Sequence, residues 1–314
     1  MDLLTIGRIS VDLYGQEIAA GLEDPQSFAK AVGGSPTNVA IGAARYGHST
    51  AVLTAVGNDS LGKFVVNELT RYGVSTQFVL TGNGATPVVI AGVKEADNPE
   101  FVFYRDERAP DTQIPKGTVS DEVIKEVKAL WFTGSTLAIK PLSETVSEML
   151  ATRARKSFTI FDLDYRPSFW PDRSSAHLAI NQALSLADVA IGNIEECRVA
   201  TGLENEKDPR VFADALHQSG IEIAVVKGGP DGVLVSEKNG IKSAVPGIQV
   251  QTRCGLGAGD AFGAAFVHGL LKGWDLTESV RFANAAGALV ASRLLCSEAM
   301  PTEVEVKTLL TSAS

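Results

Sequence analysis

The sequence predicts an α/β protein, with a central, mainly parallel sheet, helices on both faces and a small β lid. Three observations carry this expectation. Short apolar runs alternate with longer amphipathic stretches along most of the 314 residues, the pattern of βαβ units. Two segments, 13–31 and 87–106, break the alternation without offering a crossover helix. No internal repeat or low-complexity tract is visible, which argues against a solenoid.

Taken in order, residues 3–9 read as the first buried strand, an apolar run closed by polar residues. Segment 13–31 follows as the first part of the lid. A helix over 38–46, a strand over 50–56 and a helix over 61–72 form the next unit. Within 87–106, short strands over 88–93 and 101–105 flank a polar turn with Asp97, Asn98 and Pro99. Strands over 129–132, 158–162, 189–191 and 223–227 then alternate with helices over 143–156, 175–186, 195–201 and 209–218. The last helices, 260–272 and 277–293, are rich in Ala, so they should pack closely against their neighbours. The expected division is a body of 1–12, 32–86 and 107–314, with 13–31 and 87–106 as the lid.

Composition excludes several classes. There are 28 basic against 37 acidic side chains, a formal charge of −9, so the clustered cations that bind nucleic acid are lacking. Only 21% of residues are charged and 45% are hydrophobic, which excludes general disorder. Cys197, Cys254 and Cys296 form no Cys-x-x-Cys pair, so neither a disulfide framework nor a zinc knuckle is expected. The start, Met1 to Gly7, lacks the basic and apolar regions of a signal peptide. The charge-free run 73–93 contains Ser75, Gln77, Asn83 and Pro87, which does not suit a bilayer core. A soluble, cytoplasmic enzyme that docks on no membrane is the expectation.

Glycine clusters locate the chemistry. Gly255-Leu256-Gly257-Ala258-Gly259-Asp260 opens an Ala-rich helix. Small residues allow a tight turn, so the N–H groups of Gly257, Ala258 and Gly259 can converge on one anion at the positive end of the helix dipole. Asp260 then stands beside that anion, where a carboxylate can take the proton of an attacking hydroxyl in phosphoryl transfer. Asp after a Gly turn is also a common N-cap, and the motif alone leaves both roles open. A second cluster, Gly33-Gly34-Ser35-Pro36-Thr37-Asn38, permits close approach of a polar ligand, and the Asn38 amide can donate and accept hydrogen bonds. It too could be a turn and cap. Gly57 to Lys63 has P-loop spacing, yet Phe64 replaces the Ser or Thr that would hold Mg²⁺, and Asp59 would repel phosphate. That reading is rejected.

Together these motifs resemble the ribokinase-like (PfkB) carbohydrate kinases. Gly33 to Ala40, with Gly47 and Gly57 downstream, is similar to the family's first signature. Gly257-Ala258-Gly259-Asp260 resembles the second, and Asn193-Ile194-Glu195-Glu196 its Asn-x-x-Glu motif. The resemblance covers essentially the whole chain and implies a ribokinase-like fold and a kinase using ATP and Mg²⁺. It implies Asp260 as catalytic base, with Gly257, Ala258 and Gly259 stabilising the transferred phosphoryl group. Asn193, Lys227, Gly229, Gly232 and Asn284 would bind nucleotide, and Glu196 would organise Mg²⁺ through water. Asp12, Gly33, Gly34 and Asn38 would bind the sugar, with Arg105 and Arg166 opposite the lid; Arg suits a carboxylate bidentately. Residues 5–12, 103–111 and 162–167 further resemble family members acting on 5-dehydro-2-deoxy-D-gluconate at its 6-hydroxyl. The alternatives are 2-dehydro-3-deoxygluconate or fructose as acceptor, or a non-catalytic sugar or nucleotide sensor. Cys254, Gly255 and Leu256 stand where many relatives carry an Asp-Thr-Thr cation motif, so the resemblance does not extend to a monovalent-cation site. Lids of such kinases often pair two subunits, which implies a homodimer.

Overall fold

Valine, isoleucine and other apolar residues that pack well on a pleated surface fill the short runs, and these become strands buried on both faces. The computed structural model describes residues 1–17, 20–94, 100–156 and 158–312. Its strands are β1 (Leu3–Ile6), β2 (Ser10–Gly15), β3 (Phe28–Gly33), β4 (Thr50–Gly57), β5 (Val74–Ser75), β6 (Val79–Gly82) and β7 (Val88–Gly92). They continue as β8 (Glu100–Tyr104), β9 (Ala129–Thr133), β10 (Thr159–Asp162), β11 (Val189–Asn193), β12 (Ile223–Lys227), β13 (Val233–Glu237) and β14 (Lys242–Val245). The helices are α1 (Ser35–Arg45), α2 (Ser60–Arg71), α3 (Asp121–Glu126), α4 (Leu142–Arg153) and α5 (Arg173–Leu184). After them come α6 (Ile194–Thr201), α7 (Pro209–Gln218), α8 (Ala258–Lys272), α9 (Leu276–Ala291) and α10 (Glu303–Ser312).

The main sheet runs β14-β13-β12-β11-β10-β9-β1-β4-β5, with β6 also paired to β4. All its pairings are parallel except those of β13 and β14, which close one edge as an antiparallel hairpin. Period-two alternation splits the core. Leu3, Val52, Trp131, Ile160 and Val225 face α1, α2, α8, α9 and α10. Leu4, Leu53, Phe132, Phe161 and Val226 face α3 to α7. The small residues of α8 bring it close, as expected: a Cβ on Gly42 would lie 2.6 Å from the Ala264 methyl, and one on Gly263 would lie 2.5 Å from the Trp131 ring. No described helix is long and apolar enough to cross a membrane.

A second sheet, ordered β3-β2-β7-β8, stands apart from the first. Its β2–β7 pair is parallel and its outer pairs are antiparallel. The predicted turn at Asp97, Asn98 and Pro99 lies outside the described residues. So does part of segment 13–31, at residues 18 and 19.

Several boundaries differ from the sequence expectation. The first strand stops at Ile6 instead of residue 9, because Gly7 takes φ +143° and turns the chain out of the sheet. The second sheet therefore starts at Ser10 and takes in residues up to Gly33, wider than 13–31. Helix α1 starts at Ser35, with Pro36 in its first turn. The helix expected from residue 260 starts at Ala258, capped by Gly257 at φ +75°. Asp260 is thus not the N-cap. Strands β2 and β3 were expected only as part of the β lid, without bounds of their own, and strands β5, β6, β13 and β14 and helices α3 and α10 were not expected. Most are short or edge elements with little periodicity to read.

The rejected P-loop segment has a structural role. Asp59 caps α2, accepting from Gly62 N at 2.7 Å, Thr86 N at 2.8 Å and Thr86 Oγ1 at 2.8 Å. It ties the helix start to the strand end before β7. Asp59→Ala is expected to cost about 1–2 kcal/mol. Thermal unfolding should show a Tm lower by a few degrees, with kcat at 25 °C unchanged.

Candidate active site

In a parallel sheet the carboxyl ends of the strands open onto one crevice, and the side chains that follow them line it. Here the crevice is a cavity of about 580 Å³. Arg8 follows β1, Asp162 ends β10, Asn193 ends β11 and Lys227 ends β12, and all four line it. The start of α1 adds Gly34, Ser35 and Asn38, and the start of α8 adds Gly257, Gly259 and Asp260. The second sheet covers it from the other side. Its register sets Asp12 beside Val89 and Val89 beside Phe103, and these three, with Phe101, face the cavity.

The two glycine clusters, far apart in sequence, meet here. Asn38 Nδ2 donates to Asp260 Oδ2 at 2.8 Å, so the first cluster orients the carboxylate of the second. Burial pushes the Asp260 carboxyl above its ordinary range, opposed by hydrogen bonds from Asn38 and Ser35. The first-turn amides of α8 have no intrahelical acceptors and flank this carboxylate. Gly257 is needed on two counts: its φ is +75°, and a Cβ would lie 2.7 Å from Cys296 Sγ. Lys227 reaches the same spot, its Nζ lying 3.5 Å from where a Gly259 Cβ would be. Burial works against its charge, but Glu196, Asp162 and Asp260 more than offset that and raise its pKa. The arrangement presents an ammonium and a helix start to an anion, with a carboxylate alongside.

Asp12 is buried, accepting from Ser10 Oγ at 2.6 Å and Tyr14 OH at 3.1 Å. Burial raises its pKa to about 6, against those two hydrogen bonds. Gly33 is small because Asp12 occupies the place of a Cβ, and Gly34, at φ +100°, because the Arg8 carbonyl does. Asn193 and Glu196 form a capping box on α6: Asn193 Oδ1 accepts from Glu196 N at 2.8 Å, and Glu196 Oε2 from Asn193 N at 2.7 Å. Both still line the cavity, and the Glu196 carboxylate has lone pairs to spare. No described group of three or more His, Cys, Asp or Glu could by itself hold a metal ion.

Other predicted residues lie elsewhere. Gly229, at φ +61°, and Gly232, at φ +98°, shape the turn from β12 to β13. Gly232 lines a neighbouring groove with Gly228 and Val245. Asn284 lines a further groove of about 610 Å³ with Pro246, Gly247 and Arg281, and its Nδ2 donates to Pro246 O at 3.0 Å. Arg166 lines the cavity, its Nε 3.1 Å from Asp164 Oδ1. Arg105 does not. Its Nε donates to both Asp111 oxygens, at 2.9 and 3.2 Å, and its side chain is 5% exposed. It is a buried ion-pair partner, absent from the cavity wall, because the chain after β8 folds Asp111 back against it.

Sequence reading did not single out Arg8, Ser35, Asp162, Asp164 or Cys296 as site residues. Asp162 and Arg8 carried a signal, since each follows an apolar strand at its carboxyl end. Ser35 Oγ donates to Asp162 at 3.2 Å. Burial pushes the Asp162 carboxyl up, Lys227 opposing and the neighbouring carboxylates adding. Cys296 lines the cavity, where its Sγ accepts from Tyr14 OH at 2.8 Å and stands 2.7 Å from where a Gly257 Cβ would be. Nothing local to its own segment predicts that.

The model of the pfkB family carbohydrate kinases matches residues 1–303. A protein of Geobacillus kaustophilus named 5-dehydro-2-deoxygluconokinase is 32% identical over 98% of this chain and 92% of its own. A PfkB protein from Polaromonas superposes with a TM-score of 0.84 at 26% identity, covering 98% of this chain and 99% of that one. A sugar kinase of Pyrococcus horikoshii, solved in complex with ATP, superposes with a TM-score of 0.80 at 26% identity over 98% and 99% of the two chains.

Proposed function

Because this chain belongs to the pfkB family of carbohydrate kinases and is a sugar kinase, we propose that it phosphorylates the 6-hydroxyl of 5-dehydro-2-deoxy-D-gluconate with ATP. The observation that carries the acceptor is the near full-length similarity to proteins named for that activity. The reacting groups are those at the start of α8. Asp260 takes the proton of the 6-hydroxyl as its oxygen bonds to the γ-phosphorus and the bond to the ADP oxygen breaks. The amides of Gly257, Ala258 and Gly259 hold the charge on the transferred group, with Lys227 beside them.

The donor set suits ATP and Mg²⁺. A bound Mg²⁺ would neutralise phosphate charge. Since it keeps several waters, Asn193 and Glu196 need only reach those waters. The turn holding Gly229 and Gly232, which follows Lys227 in the chain, and the groove at Asn284 serve as the nucleotide's bed. Asp12, Gly33, Gly34, Asn38 and Arg166 hold the sugar. The second sheet acts as a lid that excludes water. Pairing of two copies through this sheet belongs to the same reading, supported by Phe28, Phe101, Val102 and Tyr104, exposed apolar residues on its edge strands β3 and β8.

The test is ADP release across keto-sugar acids and neutral hexoses. The expected result is a kcat/KM for 5-dehydro-2-deoxygluconate at least about tenfold above that for fructose, the worth of one well-made charged contact. Turnover of fructose but of no keto acid would remove the acceptor assignment. No turnover at all would favour a sensor.

A further inference from the structure

Two guanidiniums, of Arg8 and Arg105, lie by the Phe169 ring. A third, of Arg166, shares Asp164 with Arg8, and among the described residues two carboxylates, Asp111 and Asp164, pair with the three. Arg105 is closed off on Asp111 and stacks 5.0 Å from the Phe169 centroid. Arg166 holds Asp164 at 3.1 Å. Asp164 is kept ionised, because Arg166, Arg8 and Ser135 together outweigh the effect of burial. Arg8 must share that same carboxylate and reaches it only at 3.8 Å through a terminal nitrogen. That is too long for a hydrogen bond.

The rest of Arg8 is held in place but not satisfied. Its carbonyl accepts from Thr37 Oγ1 at 3.3 Å and sits in the space left by Gly34. Its guanidinium lies 5.6 Å from the Phe169 centroid. The side chain is 12% exposed, lines the cavity, and its Nε is buried with no hydrogen-bond partner among the described residues. A buried charged donor left unpaired is costly. It persists where a ligand supplies the acceptor. Asp12 and Asp260 feel its charge from the same cavity, but neither is bonded to it.

We propose that Arg8 is the specificity-determining residue for the carboxylate of a sugar-acid substrate, taking it through the unpaired edge of its guanidinium. This rests on the acceptor class proposed above. The planar fork suits a carboxylate bidentately, and the fixed stem lowers the entropy lost on binding.

The test compares the parent with Arg8→Gln on two acceptors, 5-dehydro-2-deoxygluconate and its carboxamide, after thermal unfolding has confirmed a folded variant. The parent should prefer the acid by at least about tenfold in kcat/KM. Arg8→Gln should erase that preference, mainly through a higher KM for the acid. If the variant keeps the preference, or loses equally on both acceptors, Arg8 acts only as structure or distant charge and the proposal falls. Should Arg8→Gln not fold, Arg8→Lys is read the same way, since it keeps the charge and loses the fork. A parent that turns over neutral hexoses and no acid overturns the acceptor reading and this assignment with it. A parent selective for acids whose selectivity survives the substitution overturns Arg8 alone.

Discussion

Asp260→Asn is expected to lower kcat by at least about 10²-fold, the usual worth of a positioned general base. The substitution keeps shape and keeps an oxygen for Asn38 Nδ2, now 2.8 Å from Asp260 Oδ2, but it cannot accept the hydroxyl proton. The pH profile gives a second readout. Burial raises the Asp260 pKa, and the base works only when ionised. Parent kcat should therefore climb as pH rises through a value above the ordinary carboxylate range, and the variant should lack that limb. Stability runs the other way. A carboxyl whose folded pKa is raised contributes stability below its unfolded pKa and loses it as pH rises through the folded one. Once ionised, Asp260 thus weighs against the fold, and above its folded pKa Asp260→Asn should unfold no earlier than the parent. A variant with near-parental kcat would remove Asp260 from the chemistry. One that unfolds early would make its role structural.

Gly257→Ala is expected to lower kcat by about 10²-fold, comparable to loss of one oxyanion-hole donor. The new methyl would sit 2.7 Å from Cys296 Sγ and 2.9 Å from Cys296 Cβ, so the loop must move, and its amides with it. The left-handed backbone at φ +75° adds about 1 kcal/mol of strain. Gly47→Ala is the control. Gly47 has φ +85° but open space around a Cβ, so it carries the strain without the collision. Gly47→Ala should lose some Tm and keep kcat, whereas Gly257→Ala should lose both. Equal activity in the two variants would show that the loop amides do not need this placement.

Much of the fold was legible because it follows from periodicity. The alternation of buried runs and amphipathic stretches foretold the order of the main strands and helices, and the Ala-rich composition of α8 foretold its close approach. Boundaries failed where a single glycine decides them. Gly7 ends β1 three residues early, and Gly257 takes the cap that Asp260 resembled. The capping-box role of Asn193 and Glu196 was also visible locally, since its two hydrogen bonds span only three residues. Arg105 was misplaced for the opposite reason. Asp111 is six residues on, and no local pattern shows that it is buried against that guanidinium.

The sequence by itself determined the fold class, the motifs and the chemical type of each glycine cluster, because propensity, periodicity and small-residue turns act over a few residues. The family resemblance that those motifs carried added roles to particular positions. Only the tertiary structure decided which charged groups remain free. Asn38 joins Asp260 across 222 residues of chain, and Arg105 is consumed by Asp111 while Arg8 keeps an unpaired edge. These outcomes depend on which carboxylate and which guanidinium are brought together out of water. Burial and distance set that balance, and both are properties of the packed chain, written in no local stretch of it.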